Sequence, residues 1–148
     1  PINRWYYQEK QKLSSAFFYV ILTMFPLGVA VGIAVAVLSP WVIPLAFGNQ
    51  YAEAIDIVTI ICLCFPFRFV GTGFATMLVE PAHVAARFRW DVALAVTNVA
   101  VNIVAIDHYS VYGAAVTTVA AEVLQCAIYV WLFRRLVLSK VRKELAAR

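Results

Sequence analysis

The side chains with the most capacity for chemistry in this chain lie in apolar surroundings. Arg68 stands in the run Cys62-Leu63-Cys64-Phe65-Pro66-Phe67-Arg68-Phe69-Val70-Gly71-Thr72-Gly73. A guanidinium facing hydrocarbon costs at least about 2.5 kcal/mol, so Arg68 requires a wet cavity or an anionic partner. Two readings stand open: an ion pair with a carboxylate such as Glu122 that holds helices together, or contact with an anionic substrate in a cavity. Asp91, Asn98 and Asn102 follow at spacings of seven and four, which aligns them with Ala95 on one helical face. Thr118, Glu122, Gln125 and Tyr129 do the same at spacings of four, three and four. Such stripes are either interhelical glue, worth about 0.6 kcal/mol per hydrogen bond in a membrane, or the wetted wall of a passage. An ionised Glu122 needs water or a cation, and Arg68 is its candidate partner. The candidate binding residues are therefore Arg68, Asn98, Asn102, Glu122 and Gln125. Asp56 and Asp91 read as interfacial; proton or sodium coupling through either requires membrane depth and suitable partners.

Other constellations are excluded. His83 and His108 fall on opposite sides of the layout derived below, so they do not share a metal within one copy. Cys62, Cys64 and Cys126 sit in apolar runs and read as small buried hydrophobes. The first two are only two apart, with neither a second pair nor a nearby histidine, which supports neither zinc nor thiol redox chemistry. There is no glycine-rich phosphate loop and no nucleophile elbow. Gly71 and Gly73 lie inside an apolar run, where close packing or a bend explains them. The expectation is a protein that is not an enzyme and holds no cofactor.

The elements that must position these residues follow from composition. Of 148 residues, 64% are hydrophobic and 14% charged, against about a quarter charged in an average soluble domain. The mean hydropathy is +0.83. Crossing about 30 Å of hydrocarbon takes roughly 20 helical residues, because every backbone polar group must bond internally there. Four runs qualify, at residues 16–37, 54–78, 88–106 and 111–133, and predict an all-α integral membrane fold of four transmembrane helices. Pro26, Gly28 and Gly32 in the first are tolerated in a membrane helix. Pro66 in the second predicts a kink beside Arg68. Residues 1–15 read as an amphipathic cytoplasmic lead-in and 134–148 as a basic cytoplasmic tail.

The connections and charges orient the spans. Residues 39–53, with Pro40, Trp41, Pro44, Phe47, Gly48 and Tyr51, predict a short interfacial turn with aromatic anchors. Residues 79–87, with Glu80, Pro81 and His83, predict an aqueous loop, and residues 107–110 a tight hairpin. If the termini share one side, that side receives Arg4, Lys10, Lys12, Arg87, Arg89, Arg134, Arg135, Lys140, Arg142, Lys143 and Arg148, which is every basic residue except Arg68. Basic residues are retained in the cytoplasm, so both termini are expected there. The net charge of +4 then reflects topology rather than nucleic-acid binding, with anionic lipid as a further contact for the tail. The chain opens on Pro1 without a methionine and reads as processed or as a fragment of a longer protein.

Two patterns carry a family resemblance. Ser39-Pro40-Trp41-Val42-Ile43-Pro44-Leu45-Ala46-Phe47-Gly48-Asn49-Gln50-Tyr51-Ala52-Glu53-Ala54 is similar to a helix ending in an isoleucine- or leucine-rich turn, then Phe-Gly, two variable residues, Tyr and Ala. Asn98 and Asn102, followed by Ile106, Tyr109, Gly113-Ala114-Ala115, Thr117 or Thr118 and Glu122, make the second pattern. Together, across residues 15 to 135, they resemble polysaccharide-export (O-antigen type) flippases of the multidrug/oligosaccharidyl-lipid/polysaccharide exporter superfamily. Asp107 stands where the family has Pro and Ser110 where it has Gly, and the middle loop lacks the family's short glycine-basic turn.

The resemblance implies a section of a larger two-bundle transporter with about twelve or more helices around a central cavity. It implies translocation of a polyprenyl-diphosphate-linked oligosaccharide across the bacterial inner membrane by alternating access, in service of lipopolysaccharide synthesis. In that setting Arg68 attracts the diphosphate. Asn98, Asn102 and Gln125 bond neighbouring helices or sugar hydroxyls, and Glu122 balances charge or couples to a cation. The implied partners are membrane lipid, the lipid-linked oligosaccharide and the remaining helices of the parent transporter. The alternatives are a cation-coupled multidrug-type exporter and a non-transporting membrane scaffold or assembly subunit.

Overall fold

The computed structural model describes residues 2–78 and 81–138, with side chains over residues 15–78 and 83–136. The described residues are helical, with no strand. Glu80 and the basic residues of the tail from Lys140 onward lie outside the described residues, as do the side chains of Arg4, Lys10 and Lys12.

Helix α1 runs over Ile2–Phe47, so the expected lead-in, first span and half of the expected turn at residues 39–53 are one helix. The interfacial turn therefore needs correction. Pro40 cannot bond the carbonyl of Ala36, yet the hydroxyl of Ser39 donates to that carbonyl at 2.9 Å and repairs the loss. The chain reverses later, at Gly48, whose φ of 89° and ψ of 165° suit only glycine, and in the tight turn Asn49–Tyr51.

The second apolar run breaks where Pro66 predicts. Helices α2 (Ala54–Cys62) and α3 (Phe65–Met77) meet at 44°. The amides of Leu63 and Cys64 bond three residues back, to Ile60 and Ile61, which tightens the turn. Pro66 has no amide hydrogen to offer Cys62, and the carbonyl oxygen of Cys62 lies against Gly32 of α1 instead. A Cβ on Gly32 would sit 2.9 Å from that oxygen, and one on Gly28 would sit 2.6 Å from Cα of Pro66. Gly28 and Gly32, one helical turn apart, thus bring two backbones into direct contact across an antiparallel crossing.

Helix α4 spans Pro81–Leu132 and continues into a π-helical turn over Phe133–Leu138. Pro81 opens it, as suits a residue with no amide to satisfy at a helix start. The aqueous loop expected over residues 79–87 is thereby corrected: from Pro81 onward it is helix. Ser110, at φ 56° and ψ −145°, interrupts α4. Trp90 packs on Trp131 and Asn102 meets Thr117, so residues 81–109 and 111–132 are two antiparallel legs of a hairpin.

Ser15–Phe47 and His83–Leu136 are long and apolar enough to cross a membrane, and the bent pair α2 and α3 together meets the same test. The tightest apolar packing gathers at one end, where Phe17 of α1, Phe74 of α3 and Phe133 after α4 place their rings 5.2 to 6.0 Å apart. Phe74 and Leu78 are fully buried there. The start of the apolar part of α1, the end of α3 and the end of α4 consequently share one end of the molecule. Gly48 and Ser110 turn the chain at the other.

Candidate functional site

The polar side chains gather where α3 faces the hairpin. The kink at Pro66 sets Arg68 one turn into α3, and its Nη1 donates to Oε1 of Glu122, midway along the second leg of α4, at 2.9 Å. The partners are unequally covered: the side chain of Arg68 is 63% exposed and that of Glu122 is 16% exposed. A single bond occupies one of the five guanidinium donors, so the others are open to a second acceptor.

A second polar group lies toward the end where the phenylalanines pack. Nη1 of Arg87 donates to the carbonyl of Ala75 in the last turn of α3 at 2.8 Å, and its Nε lies 3.8 Å from Oδ2 of Asp91. The Tyr129 hydroxyl donates to Oδ1 of Asp91 at 2.8 Å, and Nε2 of Gln125 contacts both that oxygen, at 3.3 Å, and the Tyr129 oxygen, at 3.1 Å. The Arg87 guanidinium also stands 6.0 Å from the Tyr129 ring. This network ties α3 to both legs of the hairpin. Between the two groups lies an open cleft of about 240 Å³ whose walls include Arg68, Thr72, Arg87, Glu122, Gln125 and Tyr129. Arg68 and Arg87 are matched by Glu122 and Asp91, so the cleft is polar without a strong net field.

Three of the five candidate residues, Arg68, Glu122 and Gln125, share this cleft. Asn98 and Asn102 do not. Nδ2 of Asn102 donates to Oδ1 of Asn98 at 3.3 Å, and Thr117 donates to Asn102. Asn98 borders a separate groove between the legs with Leu94, Thr97 and Ala121. The stripe of Asp91, Asn98 and Asn102 faces the second leg throughout, which is the geometry of interhelical glue. Of the other stripe, Glu122, Gln125 and Tyr129 reach the cleft, while Thr118 bonds the carbonyl of Ala114 in its own helix.

Sequence reasoning missed Arg87, which it assigned to an aqueous loop. Its spacing of four from Asp91 was the available signal, since that spacing brings the two together once the segment is helical. Among the described residues no group of three histidine, cysteine or acidic side chains is placed to hold a metal ion. The arrangement can bind, exchange and screen charge.

At the end where the phenylalanines pack, Arg134 stands 5.3 Å from the Phe17 ring and Arg135 stands 4.9 Å from Trp131. Comparison with protein-family models, curated proteins and solved structures finds no match to this chain.

Proposed function

We propose that the four helical stretches α1, α2 with α3, and the two legs of α4 are four membrane spans with both termini cytoplasmic. In this reading they form one section of a larger inner-membrane flippase that moves a polyprenyl-diphosphate-linked oligosaccharide to the outer leaflet by alternating access. The substrate class comes from the resemblance of the motifs around Phe47 to Tyr51 and Asn98 to Ala115. Aromatic and basic residues support the span assignment: Arg134, Arg135, Trp90 and Trp131 sit at one end, and exposed Phe47, Tyr51, Tyr109 and Tyr112 at the other.

The observation that carries the functional reading is Arg68. It is a cation at mid-length of an apolar broken helix, held by Glu122 yet 63% exposed. Four helices alone leave such a group facing hydrocarbon, at a cost of several kcal/mol, whereas a cavity completed by further helices leaves it in water beside an anionic solute. The remaining guanidinium donors suit a diphosphate, which accepts paired hydrogen bonds. No covalent step is needed. Glu122 holds Arg68 in place between substrates and accepts a compensating charge when the pair opens.

The test is translocation of lipid-linked sugar in vesicles. Arg68→Ala, at equal protein abundance, is expected to abolish transport and Arg68→Lys to retain part of it. Normal transport by Arg68→Ala refutes the role. The ion pair between α3 and the second leg also favours a second reading, a scaffold in which the pair only joins helices. The double variant Arg68→Met with Glu122→Leu separates them, because it keeps an apolar contact of similar volume: a scaffold tolerates it and a diphosphate carrier does not.

A further inference from the structure

The outward faces of the four stretches are chemically unlike. Over the second leg of α4, the exposed residues between Val111 and Trp131 are Val, Ala, Leu and aromatic. On the first leg between Val92 and Ile106 the exposed positions are apolar except Thr97, and on α1 between Phe18 and Phe47 none is more polar than Tyr19. The broken helix reverses this. Its exposed positions between Ala54 and Leu78 are Asp56, Thr59, Leu63, Arg68, Thr72 and Thr76, at spacings of three, four, five, four and four. The step of five spans the bend between Cys62 and Phe65, so the six residues form one continuous stripe, and only Leu63 is apolar.

We infer that this stripe lines an aqueous passage that follows α2 and α3 through the membrane. The inference rests on the four-span assignment and not on the identity of the transported molecule. Lipid is a poor occupant for a face carrying Arg68, since a charge at that depth costs a few kcal/mol, and Asp56 stands at the boundary end of the same stripe. A tightly packed helix is a poor occupant as well, because close helix approach in membranes uses small residues. The glycines of α3 are spent inside the bundle: Gly71 lies against Cys126 and Gly73 against Val20 and Met24. The outward stripe has no glycine, alanine or serine. Clefts flank it on both sides, one of about 240 Å³ toward the hairpin and one of about 410 Å³ toward α1, and Arg68 and Thr72 belong to both walls. Each has room for several waters at about 30 Å³ apiece. The hydroxyls of Thr59 and Thr76 bond the carbonyls of Ile55 and Gly73, as that of Thr97 bonds Ala93, so it is the number and alignment of polar residues on the stripe that sets it apart from the first leg.

The test is cysteine accessibility of the full-length protein in sealed membrane vesicles, read with a charged, membrane-impermeant thiol reagent. The native Cys62, Cys64 and Cys126 are buried and provide a low background. Thr59→Cys, Thr72→Cys and Thr76→Cys are expected to react about tenfold faster or more than Val96→Cys, Val104→Cys and Val116→Cys, because only a hydrated thiol ionises to the reactive thiolate. Stripe positions as slow as these controls mean the face is covered by lipid or protein, which overturns the passage. Controls as fast as the stripe overturn it differently, by showing that the legs of α4 are not in the membrane at all. Loss or retention of sugar translocation is a separate readout, so a wet stripe in a protein that moves no glycan leaves the passage standing and removes only the substrate assignment.

Discussion

Replacing Gly28 by alanine tests the packing that fixes α3. A Cβ built there lies 2.6 Å from Cα of Pro66, 2.7 Å from the carbonyl oxygen of Phe65 and 2.9 Å from its carbonyl carbon. Carbon atoms in contact ordinarily stand about 3.5 to 4.0 Å apart, so the shortfall is about 1 Å. All three neighbours are backbone, and no rotamer change relieves the overlap. The helices must part by about that distance at their crossing, which loosens the contacts of Val20 and Phe17 with α3 on the same interface. Overpacking of this kind costs about 1 to 3 kcal/mol, and backbone against backbone belongs at the upper end. Alanine returns up to about 1 kcal/mol through helix propensity, so the net loss should be about 2 kcal/mol.

Gly71→Ala is the internal control. Its nearest neighbour would be Cα of Cys126 at 3.6 Å, an ordinary contact, and the change should be neutral or stabilising by up to about 1 kcal/mol. Gly32→Ala should resemble Gly28→Ala, with the Cys62 carbonyl oxygen at 2.9 Å as the obstacle. The double variant should lose less than the sum, since one displacement of α1 relieves both overlaps. Reversible unfolding in mixed detergent micelles gives the stabilities. If Gly28→Ala is as stable as Gly71→Ala, the direct contact between α1 and the kink does not exist and the reasoning fails.

Three further outcomes follow from the hairpin and the cleft. Ser110→Gly should raise stability by about 1 kcal/mol in the same unfolding assay, because a φ of 56° with a ψ of −145° strains a residue that has a Cβ; Ser110→Val should lower it. Arg68→Ala should destabilise more than Glu122→Ala, by about 1 kcal/mol, since removing Arg68 strands the more buried partner; equal losses would mean the pair is fully solvated. Tyr129→Phe removes the bond to Asp91 and the acceptor for Gln125 and should cost about 1.2 kcal/mol, Thr117→Val removes the bond to Asn102 and should cost about 0.6 kcal/mol, and thermal melts of the two single variants and their combination should add, because the two sets of bonds share no partner.

Much of the architecture is legible in the sequence because apolar length and proline position are local properties. The break beside Pro66 and the hairpin at residues 107–110 are found where the pattern puts them. Within that hairpin the position that takes the positive φ is Ser110. What is illegible depends on chemistry supplied from elsewhere. Pro40 reads as the end of a helix until Ser39 is seen to bond the carbonyl of Ala36. Gly28 and Gly32 show a spacing of four, but no period in the sequence reveals that their partner is the backbone at Phe65 and Pro66. Periodicity also assigns a face without assigning a neighbour. Asn98 and Asn102 share a face with Asp91, yet only Asp91 lies close enough to the start of the leg to meet Gln125 and Tyr129.

The two sides of α3 then differ in how they can move. Against α1 the contact is backbone on backbone, and a separation of about 1 Å forfeits close packing that nothing replaces. Against the hairpin Gly71 lies on Cys126, but the contacts around the cleft also include an ion pair and hydrogen bonds, whose donors and acceptors can be taken over by water in a space of about 240 Å³. Exchange of that kind costs little per bond, whereas the phenylalanine cluster of Phe17, Phe74 and Phe133 stays dry and joined at one end. Opening the cleft would therefore have to part Gly71 from Cys126 as well as break the polar contacts, with the phenylalanine cluster the last to yield. Arg68 stands on α3 and Glu122 on the second leg, away from that cluster, and their exposed ion pair is a contact that any such opening would have to break.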